Sequence, residues 1–174
     1  SYSIHADHMV AKAKGLAWTL FEDAATSGDR FALVTFLRSK PEATVALPLT
    51  RSRMLARRRL ESMPLSNRTP LASAIRLCGR ILQQERLKRH GAMPLAVVIT
   101  DGLPTVPLRP GGDPLRDLLA EAAVLRRRKI TTVIVDSSDQ DARLGGCGQA
   151  LADTTGGRWL AFDEVVLGRA ETHK

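Results

Sequence analysis

An unbroken apolar run, residues 95–99, constrains the fold of this chain more than any other stretch, and it ends in Thr100, Asp101 and Gly102. A run without polar alternation predicts a strand that is covered on both faces, as in the centre of a parallel sheet. Gly102 allows the backbone to turn sharply after the strand. Because ligands bind at the carboxyl ends of strands in open α/β sheets, Asp101 is the first candidate for a functional residue. The alternative, that Asp-Gly is only a turn, stays open at this point.

Helical and strand patterns alternate along the first part of the chain. After a short polar opening at residues 1–5, apolar residues recur at helical spacing over residues 8–25, which predicts an amphipathic helix. A β-rich segment at 31–36 and a weakly alternating one at 43–49 predict a hairpin. Pro48 favours an edge position for the second strand, because proline disrupts a central one.

The rest of the chain continues the alternation. Thr50 is predicted to cap one helix, and Thr69 is predicted to cap the next, with Pro70 at its first helical position. Asp113, followed by proline, predicts the start of a further helix. Further strands are predicted at residues 130–136 and 158–162, separated by a helix over roughly residues 142–155.

This order of elements predicts an α/β fold with a doubly wound, mostly parallel sheet and helices on both faces. Neither a linker nor an internal repeat interrupts the pattern, so we expect one domain over residues 1–166 and a polar tail over residues 167–174.

The composition of the chain limits the kinds of partner that it could bind. The chain has 174 residues, a formal net charge of +8 and a pI of about 10.3, which favour an acidic partner such as an acidic protein segment, nucleic acid or an anionic surface. Aromatic residues make up only 4%, which argues against a stacking platform for single-stranded nucleic acid. Nucleic-acid binding therefore rests on charge alone and is the weakest hypothesis.

Cysteine usage and hydropathy bear on the cellular setting. Cys78 and Cys147 are isolated in sequence, so we expect reduced thiols and a cytoplasmic location. No apolar run approaches the roughly 20 residues of a membrane span, and no signal peptide is recognisable. Because the first residue is Ser1, either an initiator Met was removed or the sequence is part of something longer.

Small oxygen-bearing side chains fall at positions that a parallel sheet could bring together. Ser1 and Ser3, then Thr69, then Asp101 each precede a helix or follow a strand in the predicted order. Hydroxyl and carboxylate oxygens are what a hard cation such as Mg²⁺ accepts, at about 2.0–2.1 Å and usually with waters. An incomplete shell leaves a position for a carboxylate from another molecule. Simple alternatives are a disordered terminus for the serines and a helix cap for Thr69.

These residues resemble the metal-ion-dependent adhesion site of von Willebrand factor A domains, whose pattern reads Asp-x-Ser-x-Ser, then Thr, then Asp. Ser1, Ser3, Thr69 and Asp101 match every member except the first Asp. The wider chain is similar to the A domain at the C-terminus of the magnesium-chelatase D subunit. The supporting stretches are residues 28–36, 56–61, 69–72, 99–102 and 156–158.

The departure from the family lies at the start of the chain. The family's first Asp, and the mid-sheet strand that carries it, would sit just before Ser1. We therefore expect a fragment or a shortened chain, with a gap beside residues 95–99. One formal ligand charge in place of two should weaken Mg²⁺ binding, because a hard cation is held largely by charge.

The resemblance implies a protein-interaction domain of an ATP-dependent chelatase that inserts Mg²⁺, or Co²⁺ in related systems, into a tetrapyrrole of chlorophyll or cobalamin synthesis. It implies two partners, an AAA+ subunit that hydrolyses ATP and a large subunit that holds the porphyrin. No phosphate-binding loop is present, so this chain should be a non-catalytic part of the complex. A stand-alone A-domain adaptor of another AAA+ ATPase is the alternative. Two basic runs could meet the AAA+ subunit or an acidic protein segment: Arg57, Arg58, Arg59, Arg126, Arg127 and Arg128.

Overall fold

The computed structural model describes residues 2–36, 40–63, 69–100, 103–136, 147–163 and 165, with side chains from residue 10 onward. It divides into two compact units, Ser1–Asn67 and Arg68–Lys174. The first unit contains α1 (Tyr2–Thr26), β1 (Phe31–Phe36), β2 (Ala43–Thr50) and α2 (Arg53–Glu61). The second contains α3 (Leu71–Lys88), β3 (Leu95–Thr100), α4 (Pro114–Arg127), β4 (Thr131–Asp136), α5 (Cys147–Thr155) and β5 (Arg158–Ala161). The single domain over residues 1–166 stays a prediction.

The first helix is longer than its apolar pattern indicates. It begins at Tyr2 instead of near residue 8, so the predicted polar opening at residues 1–5 was wrong for all but Ser1, which lies outside the described residues. Neither glycine nor proline occurs before Gly15, and nothing in the sequence therefore ends the helix upstream of its apolar stripe. Ser3 consequently lies in the first turn of a helix and not in a loop.

The predicted hairpin is confirmed. β1 and β2 pair antiparallel, with Phe36 opposite Ala43 at the turn end and Phe31 opposite Thr50 at the other. Among the described residues β2 has no second strand neighbour, as its proline requires. Phe21 of α1, Leu47 of β2 and Ala56 of α2 are each fully buried and form the centre of this unit's core.

The start of α2 corrects one predicted cap. Ser52, not Thr50, is the N-cap, and its side chain accepts a hydrogen bond from the backbone N–H of Leu55 at 3.3 Å. Thr50 is the last residue of β2, and its Oγ1 accepts the N–H of Ser52 at 3.0 Å. Two hydroxyl residues so close together give the same sequence signal, and the hairpin register decides between them.

The second unit contains a three-stranded parallel sheet in the order β3-β4-β5. Leu95 lies opposite Thr131, Thr100 opposite Asp136, and Asp136 opposite Ala161. The predicted α/β class with a mostly parallel sheet is therefore confirmed. On its other side β3 has no strand partner among the described residues, and the expected gap beside residues 95–99 stays a prediction.

The helices of this unit form one layer, because α4 packs against both α3 and α5. Gly79 allows the close approach of α3 and α4, since a Cβ at this position would lie 2.8 Å from Cδ2 of Leu125. An ion pair between Arg76 and Glu121, 2.8 Å long, joins the same two helices. The predicted cap of α4 is confirmed, as Asp113 Oδ1 accepts the N–H of Arg116 at 2.9 Å.

The end of α4 places a lysine in a conformation that favours glycine. The N–H of Ile130 donates to the carbonyl of Leu125 at 3.1 Å, and the N–H of Lys129 donates to that of Arg126 at 2.9 Å. This pair of bonds is the Schellman motif, whose left-handed position is usually glycine. Lys129 occupies that position with a φ of 53°.

Lys129→Gly should therefore raise the free energy of unfolding by about 0.5–1 kcal/mol. The left-handed conformation costs a residue with a Cβ roughly 1–2 kcal/mol, and glycine avoids that cost. Part of this stabilisation is lost because glycine also makes the unfolded chain more flexible. Urea denaturation followed by circular dichroism measures the change. Lys129→Ala is the matched control, since it removes the charge and keeps the Cβ. Equal stability of the two variants would contradict this account.

Candidate functional site

Thr69 is the one predicted metal ligand whose side chain the structure describes. Its backbone N–H donates to Oγ1 of Thr105 at 2.9 Å, and the N–H of Thr105 donates to the carbonyl of Thr69 at 3.1 Å. Thr105 follows Thr100, the last residue of β3, by only five positions. The two bonds therefore hold Thr69 to the chain segment that leaves the carboxyl end of β3.

The hydroxyl of Thr69 does not cap α3, which corrects the predicted cap. The helix begins at Leu71, and its N-cap is Pro70, without a side-chain hydrogen bond. Pro70 has a ψ of 59°, outside the helical region, so the helix begins one residue later than predicted. Within the described residues the Thr69 hydroxyl makes no hydrogen bond, which leaves this oxygen available to a ligand.

The other predicted ligands lie wholly or partly outside the described residues. This applies to Ser1, to Asp101 and to the side chain of Ser3. Among the side chains that are described, no group of three or more His, Cys, Asp or Glu residues could hold a metal ion. A magnesium site of Ser1, Ser3, Thr69 and Asp101 therefore stays a prediction.

Asp136 is a second carboxylate at the carboxyl edge of the sheet. It ends β4 beside Thr100 and is 6% exposed. Nε1–H of Trp159 donates to its Oδ2 at 3.4 Å, and the backbone of Gly148 in α5 passes so close that a Cβ there would contact the same oxygen. Asp136 therefore ties β4 to β5 through Trp159 and lies against the backbone of α5.

Neither Cys78 nor Cys147 forms a disulfide. Burial raises the pKa of the Cys147 thiol to about 11, and the carboxylate of Asp136 adds to this increase. Burial also raises the pKa of Cys78 to about 11. Because the thiolate is the nucleophile and the metal ligand, neither residue is a candidate for catalysis.

The arginine run of α2 divides between two pockets of the first unit. Arg57 lines an open pocket of about 390 Å³ together with Lys14 and Trp18, and it forms an ion pair with Glu61 at 2.9 Å. Arg59 lines a second pocket of about 250 Å³ beside Thr44. Residues two positions apart in a helix point about 200° apart, so this run does not form one patch.

The arginine run of α4 lies in the second unit, at the end of the helix. Arg126 and Arg127 are exposed, and Arg128 is half-buried. The Arg128 carbonyl accepts a hydrogen bond from Nη1 of Arg86 at 2.6 Å, which connects the ends of α3 and α4. Sequence reasoning missed the contacts of Thr105 and Arg86, because both depend on pairing between segments distant in the chain.

The parallel sheet and its packed helices agree with the class of protein that the comparisons identify. The family model of the von Willebrand factor type A domain matches residues 1–145, and the chain belongs to that family. Two solved structures share the fold. BatB of Bacteroides thetaiotaomicron, a conserved hypothetical protein, has a TM-score of 0.63 at 20% identity over 87% of this chain and 78% of its own. The SpRpn10 VWA domain has a TM-score of 0.56 at 13% identity over 91% of this chain and 74% of its own.

The curated relatives differ in how much of their own length this chain spans. The magnesium-chelatase 60 kDa subunit of Cereibacter sphaeroides is 30% identical over 95% of this chain, and an uncharacterized protein of Mycobacterium tuberculosis is 33% identical over 83%. The chain spans only 28% and 22% of the length of these two proteins. An uncharacterized protein of Methanocaldococcus jannaschii is 25% identical over 88% of this chain and 86% of its own length. None of the described helices has the length and apolar character that a membrane span requires.

Proposed function

We propose that this chain is a magnesium-dependent protein-interaction domain of a metal chelatase complex. The observation that carries the proposal is the similarity to a magnesium-chelatase subunit across 95% of the chain. The Thr69 hydroxyl supports it, because this oxygen lies beside the segment that follows β3 and makes no hydrogen bond in the part of the chain that the structure describes. The complex would insert Mg²⁺ or Co²⁺ into a tetrapyrrole in the cytoplasm, a setting that suits two cysteines that form no disulfide.

In this proposal four side chains hold Mg²⁺: the hydroxyls of Ser1, Ser3 and Thr69 and the carboxylate of Asp101. All four offer the oxygen atoms that a hard cation prefers. The bound ion would act as a bridge that accepts a carboxylate of the partner, and it is separate from the metal that the complex inserts. The chain itself positions the ligands and presents the surface around them. An AAA+ subunit and a porphyrin-binding subunit are the proposed partners.

Asp101→Ala should weaken Mg²⁺-dependent binding to the AAA+ subunit at least about tenfold while the domain stays folded. Losing an outer-shell partner of a metal ligand already costs roughly 10–100-fold, and the loss of the one charged ligand should cost no less. Isothermal titration with and without Mg²⁺ measures the effect, and circular dichroism reports folding. Partner binding equal to that of the wild type would overturn the proposal.

Thr69 offers a matched pair of variants. Thr69→Val keeps the shape of the side chain and removes an oxygen that makes no hydrogen bond within the described residues, so it should weaken Mg²⁺-dependent binding without loss of stability. Thr69→Ser retains the oxygen and should bind nearly as the wild type does. The same titration applies to both.

A stand-alone adaptor of another AAA+ ATPase is the second candidate. It is favoured by the relative from Methanocaldococcus jannaschii, of whose length 86% matches this chain. The two candidates differ in partner but share the metal site. Binding to a chelatase AAA+ subunit supports the first, and binding only to an unrelated AAA+ ATPase supports the second.

A further inference from the structure

Three helix-to-strand turns lie at the amino edge of the parallel sheet, because β3, β4 and β5 run in the same direction. Direct contacts join them. Nη1 of Arg86 donates to the Arg128 carbonyl at 2.6 Å, and the N–H of Thr131 donates to the carbonyl of Pro94 at 3.2 Å. Nε of Arg126 lies 3.6 Å from the position of a Cβ on Gly156. The three turns therefore form one continuous surface.

This surface is strongly basic. Its exposed cations, called here the basic edge, are Lys88, Arg89, Arg126, Arg127, Lys129 and Arg158. Arg89 pairs with Glu85 at 3.0 Å. The other five form no ion pair with any residue of the described chain. Nearby Asp153 accepts a hydrogen bond from Gln149 and neutralises none of them.

Aliphatic side chains lie exposed at the end of α3, at the start of β3 and in the turn between them. Met93 is 95% exposed, Leu87 69% and Leu95 52%. Two neighbouring cations, Lys88 and Arg89, follow Leu87 directly in the sequence. Apolar side chains next to exposed cations suit a partner that offers both carboxylates and apolar groups.

We infer that the basic edge, with Leu87, Met93 and Leu95, binds an acidic protein segment that also carries aliphatic side chains. Nucleic acid fits less well, because no Phe, Tyr or Trp side chain is exposed among the described residues for base stacking and the aliphatic residues gain nothing from phosphate. The inference rests on the proposed role as a protein-interaction domain, and it adds a second contact that needs no metal.

The basic edge is separate from the proposed metal site. The strands of the sheet are six residues long in β3 and β4, so the two edges lie about 20 Å apart at roughly 3.3 Å per residue. The proposed ligand Asp101 follows the carboxyl end, and the basic edge is at the amino end. One segment can therefore occupy the basic edge while a carboxylate occupies the metal site.

The strained conformation of Lys129 supports a role for its charge. Glycine would be more stable at this position, yet a lysine stands there with a φ of 53°. Strain of this kind persists where another requirement outweighs it. Lys129→Gly therefore separates binding from folding, because it should weaken binding while it raises stability.

The test measures binding of the full chain to three fluorescein-labelled probes: an acidic peptide of Glu and Leu, an all-Glu peptide of equal length and a DNA duplex. The Glu-Leu peptide should bind at least about threefold more tightly than the all-Glu peptide, through partial burial of its leucines. The double variant Arg127→Glu and Lys129→Glu should weaken the binding of both peptides about tenfold. Leu87→Ser with Met93→Ser should abolish the preference for leucine and leave the all-Glu affinity unchanged.

Arg109→Glu with Arg116→Glu is the matched control, because it makes the same change of charge at exposed sites near the carboxyl edge. It should alter peptide binding less than about twofold. An equal loss in the control pair, or tighter binding of DNA than of either peptide, would overturn the inference.

Two further measurements keep this inference apart from the proposed function. Peptide binding should be the same in Mg²⁺ and in EDTA, and Asp101→Ala should not change it. If EDTA abolishes peptide binding, the peptide occupies the metal site and the inference fails while the proposed function stands. If Asp101→Ala leaves AAA+ binding intact while the basic-edge variants weaken peptide binding, the proposed function fails and the inference stands.

Discussion

Gly148→Ala should lower the free energy of unfolding by about 2–4 kcal/mol. A Cβ at this position would contact Oδ2 of Asp136 and lie 3.0 Å from Nε1 of Trp159. The carboxylate is buried at the end of β4 and accepts a hydrogen bond from Trp159. The extra carbon must therefore displace α5 or break the bond between Asp136 and Trp159, and overpacking alone costs roughly 1–3 kcal/mol. Urea denaturation followed by circular dichroism measures the loss.

A double-mutant cycle tests the cause of this loss. Asp136→Ala removes the carboxylate that the new Cβ would meet, so part of the cost of Gly148→Ala should disappear in that background, with a coupling of roughly 1–3 kcal/mol. Gly15→Ala is the matched control, since a Cβ there meets nothing within 4 Å. It should stabilise α1 by about 0.5–1 kcal/mol. Additive effects of Gly148→Ala and Asp136→Ala would refute the steric explanation.

Local signals in the sequence predict helices and strands well where only one residue in a segment fits the required role. The apolar run at residues 95–99 is a strand within β3, and Asp113 with the following proline starts α4 as predicted. Where two neighbouring residues both suit a helix cap, the sequence alone does not predict at which of them the helix begins. Thr50 and Ser52 both suit a cap, and only the pairing of β2 assigns the cap to Ser52.

Properties of the site that depend on tertiary contacts are beyond such signals. The contact between Gly148 and Asp136 joins residues 12 positions apart on two elements, and no periodicity indicates it. The arginines at residues 126–128 are visible in the sequence as a charged run. Their union with Lys88, Arg89 and Arg158 into one surface requires the parallel register of the three strands.

The candidate metal site is the converse case. Its ligands are recognisable from spacing and family resemblance, whereas the described structure contributes the position and the free hydroxyl of Thr69. The order of residues in a motif predicts which side chains are metal ligands. The distances between those ligands depend on how loops that are distant in the sequence come together. Substitution of Asp101 and Thr69 therefore tests what the motif predicts.

Phe21→Ala should cost the first unit about 3–5 kcal/mol, the range for removing a large buried aromatic side chain. Phe21 is fully buried, stacks on Trp18 with ring centroids 5.9 Å apart and meets the edge of Phe31 at 5.0 Å. Its replacement leaves a cavity between α1 and the hairpin and removes both ring contacts. Each ring contact adds roughly 0.5–1.5 kcal/mol beyond burial.

Phe21→Leu is the informative comparison, because leucine refills most of the volume and restores neither ring contact. It should cost about 1–2 kcal/mol, so the difference between the two variants isolates the cavity. A Trp159→Phe background leaves Trp18 as the one tryptophan of the chain, and its fluorescence then reports on the first unit. Amide hydrogen exchange of β1 and β2 should rise in the order wild type, Phe21→Leu, Phe21→Ala. Equal costs for both variants would mean that the aromatic contacts, and not the filled volume, stabilise this core.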